Sequence, residues 1–137
     1  MNATNKKTEI LEGLHHFHGS AEIYSISPLF PGFCITDGVR YLRDETACHW
    51  LIDDIAALQI HPKIRKHPKL REEQFWTLEV KEDRSAVLKC EWDIGKIVVQ
   101  QHIDWTDFPL DKIRIWVARG QFENGKGYIL AYLPSER

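Results

Sequence analysis

The sequence predicts an α+β fold in which an antiparallel β-meander of three to four strands carries helices packed on one face. Two observations lead there. Across residues 75–104 apolar and polar side chains alternate in three successive runs joined by short turns, the pattern of half-buried antiparallel strands. Before that region, Cys48, Leu51, Ile52, Ile55 and Gln59 recur at spacings of three and four, the stripe of a helix lying on a core.

Taken in order, Thr4 or Asn5 is a candidate cap for a first helix carrying Ile10, Leu11, Leu14 and Phe17, and Gly19 is a suitable stop. Residues 1–4 are expected to be flexible. Ile23 and Ile26 fit either a helical turn or a strand, and Pro28, Pro31 and Gly32 break what forms there, so residues 21–35 read as a loop with a short extended piece at 33–36. From Asp37, a candidate cap, to about Ile60 the pattern is helical in two pieces, with Gly38 as a joint. Trp50, Asp53, Asp54 and Ala57 fall on the side opposite the apolar stripe, an uncommon place for a tryptophan.

Pro62 closes the helical region, because proline lacks an N–H and crowds the preceding turn. The period then changes to two. Trp76, Leu78 and Val80 share one face, then Ala86, Leu88, Cys90 and Trp92, then Ile97, Val99 and Ile103, with Lys96, Gln100, His102 and Asp104 opposite. Asp107-Phe108-Pro109 reads as a helix start with Leu110, Ile113 and Val117 inward, although Ile113, Ile115 and Val117 fit a strand equally. An Asn124-Gly125 turn leads to a last strand at about 128–133, ended by Pro134.

The chain has 137 residues, the size of a single domain, with 43% hydrophobic and 28% charged residues and five tryptophans. No apolar run is long enough for a membrane span and no signal-peptide pattern follows Met1, so a cytoplasmic protein without membrane contact is expected. Cys34, Cys48 and Cys90 are odd in number and form no C-x-x-C pair, which predicts free buried thiols. The net charge of −2 hides an uneven distribution, since Lys63, Arg65, Lys66, Lys69 and Arg71 follow one another with no acid between them.

Each candidate chemical site has a plainer reading. His15, His16 and His18 are potential metal ligands, but no further ligands of zinc-site type accompany them and no metal or other cofactor is expected. Cys48 and His49 are adjacent, and neighbours on a helix point about 100° apart, so the pair cannot form a thiol–imidazole dyad by itself. Asp37, Asp44, Glu45, Asp53 and Asp54 could supply an acidic hydrolase site, with a solvated helix flank as the default. The basic segment 63–71 could contact phosphates, yet it lacks interleaved aromatics and a nucleic-acid-binding signature, so nucleic acid is not the expected partner. The glycines match no phosphate-binding loop.

Thr36-Asp37-Gly38-Val39 with Tyr41-Leu42, Trp50-Leu51-Ile52-Asp53 with Ile55-Ala56, Thr106-Asp107-Phe108-Pro109-Leu110 and Leu133-Pro134-Ser135-Glu136 together resemble a family of small bacterial proteins known as a domain of unknown function. Phe17, Gly19, Ser20 and Tyr24 resemble its amino-terminal pattern, and the basic segment resembles a variable insertion. The resemblance implies a bacterial source, with plasmid or phage association, and brings no activity or catalytic residue.

No motif fixes a reaction. The leading expectation is therefore a non-enzymatic binding or accessory module acting through a protein–protein surface, either the wet face of the sheet or the patch of Trp50, Asp53 and Asp54, with a homodimer as its simplest form. A small hydrolase using the acidic or histidine residues, and nucleic-acid binding through residues 63–71, are the rival classes.

Overall fold

The structure is a computed structural model and describes residues 3–17 and 22–137. In chain order the elements are α1 (Ala3–Leu14), β1 (Ile23–Ser25), β2 (Phe33–Thr36), α2 (Asp37–Thr46), α3 (His49–Leu58), α4 (Pro62–Arg65), β3 (Glu73–Val80), β4 (Ala86–Glu91), β5 (Ile97–Ile103), β6 (Lys112–Gln121) and β7 (Gly127–Tyr132), followed by a 3₁₀ turn at Pro134–Glu136. The α+β class stands, and β3, β4 and β5 form the expected meander. The sheet is larger than the sequence suggested: seven strands in the order β1-β2-β7-β6-β3-β4-β5, antiparallel except where β2 runs parallel to β7.

The extra strands come from two places. β6 settles the ambiguity of residues 110–117 against a helix, because residues 112–118 pair with residues 73–79 of β3 and put Ile115 opposite Trp76. Long-range pairing there outweighs the helix-start signal of Phe108 and Pro109, which instead form a connector. β1 adds a short edge strand, with Tyr24 opposite Ile35.

The alternation of the meander becomes a division of faces. Gln74, Trp76 and Leu78 of β3 line up with Val117, Ile115 and Ile113 of β6, while Cys90, Leu88 and Ala86 of β4 adjoin them on the other side. Against this face pack Ile10 and Leu14 of α1, Val39 and Leu42 of α2, Leu51, Ile52 and Ile55 of α3, and Ile64 of α4. The reverse face carries Phe75, Thr77 and Glu79 beside Trp116, Arg114 and Lys112. One expected inward residue changes sides: a bulge at the start of β5 pairs Ile97 with Glu91, so Ile97 joins the open face and is exposed.

Several local assignments shift. Thr4 and Asn5 lie inside α1 rather than capping it. The proposed stop at Gly19 lies outside the described residues. α2 is capped by Thr36, whose Oγ1 accepts from the Val39 N–H at 3.3 Å, and Asp37 is its first residue. The joint in the helical region falls at Ala47, which takes a left-handed φ of 54°, and not at Gly38. Pro62 opens α4 at its first turn, where its missing donor is harmless, after α3 has ended at Leu58.

A polar knot crosses the core. Gln59 and Gln74 exchange side-chain amide hydrogen bonds of 2.8 and 2.9 Å, and the Trp76 indole N–H donates to Gln74 Oε1 at 2.8 Å. The Gln59 amide also donates to the Ile55 carbonyl at 3.2 Å and that of Gln74 to the Leu70 carbonyl at 3.2 Å. Burial without such partners would be costly, so the knot fixes the end of α3 against β3.

Candidate functional site

Trp50 and Asp54 are four residues apart on α3, and so share one side of the helix one turn apart. Trp50 is half-buried and packs against the core with part of its ring, while Asp53 points into solvent. Below them, Gln101 and Ile103 project from the same face of β5, two residues apart. Trp105, Thr106 and Asp107 complete a cleft of about 370 Å³. The cleft thus holds two tryptophans and two carboxylates and contains Trp50 and Asp54 of the expected patch, whereas Asp53 borders it from outside.

The loop beyond β5 is held rigidly. The Thr106 N–H donates to the Arg84 carbonyl at 2.8 Å, and the Phe108 N–H donates to Thr106 Oγ1 at 3.1 Å. In return the Arg84 guanidinium donates to the carbonyls of Thr106 at 3.0 Å and Phe108 at 2.5 Å. Arg84 reaches them from a turn in which its own φ is 70°, and Asp83 stabilises that turn by accepting from the Ser85 N–H and hydroxyl at 2.9 and 2.6 Å. Phe108 is fully buried, yet Trp105 three residues earlier is 65% exposed. A large ring is therefore displayed to water on a fixed support.

Burial holds the Asp54 carboxyl above its usual range, an effect partly offset by a hydrogen bond with Gln101. The other acids grouped with it in the sequence go elsewhere. Asp37 accepts from the Tyr24 hydroxyl at 2.7 Å, Asp44 lies 3.2 Å from Arg43, and Glu45 pairs with Lys6 at 3.1 Å. No single acidic centre assembles from the five.

The remaining candidates are dispersed. Cys34, Cys48 and Cys90 are free and buried. Burial pushes the Cys48 thiol up to about 11 and that of Cys90 up to about 12, so neither is a ready thiolate, and His49 beside Cys48 is exposed. His15 and His16 follow α1 on the surface, and His18 lies outside the described residues. Among the described residues no group of three His, Cys, Asp or Glu side chains is placed to hold a metal ion. Lys63, Arg65, Lys66, Lys69 and Arg71 are all exposed, on α4 and the turns after it. Among the described residues no helix is long and apolar enough to cross a membrane.

The open face of the sheet forms a second concavity of about 620 Å³, floored by Phe75 and Trp116. Those rings meet edge to face at 5.1 Å, and Arg137 stacks over Trp116 at 5.2 Å. Its charges largely satisfy one another: Glu79 pairs with Lys89 at 2.9 Å and Arg137 with Glu73 at 3.0 Å.

Sequence reasoning missed Gln101, Ile103, Trp105, Thr106 and Asp107 as cleft residues. The available signal was Trp105, which stands between Asp104 and Asp107 just past an alternating strand, where no core position calls for an aromatic ring.

Fold and cleft together define a small mixed-sheet α+β protein with an acidic, tryptophan-lined groove at one end of its edge strand. Residues 8–137 match the model of a family of unknown function, DUF6876, and the chain belongs to that family. No curated protein and no solved structure matches the chain.

Proposed function

We propose that the protein is a non-enzymatic binding module that docks a basic segment of a protein partner in the cleft between α3 and the end of β5. The observation that carries this reading is Trp105, exposed on a loop anchored through Thr106 and lining the same cleft as the desolvated Asp54. A ring carried on an anchored backbone offers contact area without the cost of ordering the loop. A carboxylate short of solvation gains when a cation approaches, and a guanidinium or ammonium can stack on a tryptophan while facing the acid.

The hydrolase reading receives less support, because the cleft is lined by neither histidine nor cysteine. The test is calorimetric titration of a Lys/Arg-rich decapeptide and its glutamine-substituted counterpart at low salt. The basic peptide is expected to bind, and the affinity to fall on Trp105→Ala and Asp54→Asn. Equal affinity for both peptides, or none for either, overturns the proposal.

A further inference from the structure

Among the described residues the sheet ends at β5, which pairs only with β4 and leaves its outer edge open to another strand. Exposed apolar side chains gather there: Ile94 and Ile97 at its start and Trp105 just past its end. Charge is sorted along the same edge. At the start lie Lys96 and the basic segment, because α4 packs against β5 and the His67 ring lies 6.1 Å from Trp92, whose N–H donates to the Lys96 carbonyl at 3.3 Å. At the other end lie Asp104, with its side chain fully in solvent, and the cleft carboxylates of Asp54 and Asp107. Opposing groups are present but fewer: Glu72 and Asp93 are exposed and Glu91 is half-buried at the basic end, while at the acidic end His102 lies 3.4 Å from Asp104 and Arg84 spends its guanidinium on two carbonyls.

We infer that β5 pairs antiparallel with β5 of a second copy, so that the basic start of each strand lies beside the acidic end of the other. A twofold axis makes such a contact self-complementary, and an edge with one sign at each end satisfies both ends at once only when its partner runs in the opposite direction. The bulge at Ile97 adds twist at the start of β5, so regular pairing runs from Val99 onward and the strand ends meet through side chains. The inference rests on the reading of the cleft as an acceptor for a basic segment and names the source of that segment: residues 63–71 of the partner copy.

Sedimentation equilibrium on the wild type, Lys96→Glu, Asp104→Lys and the double variant tests it, since both positions are exposed and neither belongs to the cleft. The expected wild-type mass is twice 16.0 kDa. Each single substitution sets like charges together twice per dimer and raises the dimer dissociation constant about tenfold, and the double variant restores it. A monomeric wild type at about 1 mM, or a dimer indifferent to all three changes, overturns the inference. Titrating the basic decapeptide into Lys96→Glu separates the two failures. Peptide binding by a protein that never dimerises refutes self-pairing alone, and absence of both refutes the cleft reading as well.

Discussion

The carboxylate of Glu136 accepts a hydrogen bond from the Gly38 N–H at 3.1 Å, joining the end of the chain to the first turn of α2 across 98 residues. The same carboxylate accepts from the Thr36 hydroxyl at 2.6 Å and from the Leu133 N–H at 2.9 Å. A negative group at that position satisfies an otherwise orphan donor and favours the positive end of the helix. Gly38 is required for the approach, since a Cβ there would lie 2.6 Å from Glu136 Oε1 and 2.7 Å from the Leu133 side chain. The first and last segments that carried the family resemblance, Thr36-Asp37-Gly38-Val39 and Leu133-Pro134-Ser135-Glu136, are thus two halves of one clasp.

Breaking this clasp has a measurable cost. Gly38→Ala forces the carboxylate and Leu133 aside and is expected to lower unfolding free energy by about 1–3 kcal/mol. Glu136→Ala removes the acceptor and should cost about 1–2 kcal/mol. Urea denaturation should give both losses, and the double variant should lose less than their sum because the two groups share one contact.

The amide knot predicts a second loss. Gln74→Leu leaves the Gln59 amide without its partner and the Trp76 indole N–H without its acceptor, both buried, and should cost about 1–3 kcal/mol in the same assay.

Asp54 should give stability a characteristic pH dependence. Its pKa is raised in the folded state, so the folded protein holds a proton that the unfolded chain has released, and stability falls as pH rises from the unfolded pKa of about 3.8 through the folded value. Asp54→Asn should therefore stabilise the protein at neutral pH and lose that advantage below about pH 4. Thermal melts across pH 3–8 measure the difference.

The thiols should resist modification. With Cys34, Cys48 and Cys90 buried and their pKa values raised by burial, a disulfide reagent at pH 8 should label no cysteine rapidly in the native protein and all three in urea. Rapid native labelling of Cys48 would revive the nucleophile reading.

Local patterns in the sequence were legible wherever one face is buried. The alternation at Trp76, Leu78, Leu88 and Cys90 gave the meander, and the stripe ending at Gln59 gave the inner face of α3. Residues 112–121 were not legible in the same way, because Ile113 and Val117 satisfy a period of four as well as of two, and only pairing with β3 decides between them. β1 is three residues long and carries too little pattern to announce itself. Half of the cleft was visible in Trp50 and Asp54, since a tryptophan opposite the apolar stripe asks for an explanation. The other half depends on where the end of β5 lands beside α3, a tertiary fact that no local period encodes.

The five tryptophan indole N–H groups provide separate reporters for the central claim. In two-dimensional ¹H–¹⁵N NMR with the basic decapeptide, the resonances of Trp50 and Trp105 should shift progressively, while those of Trp76 in the core and Trp116 on the open face stay in place. Shifts confined to Trp116, or a spectrum left unchanged by saturating peptide, would contradict the assignment of the cleft as the docking site.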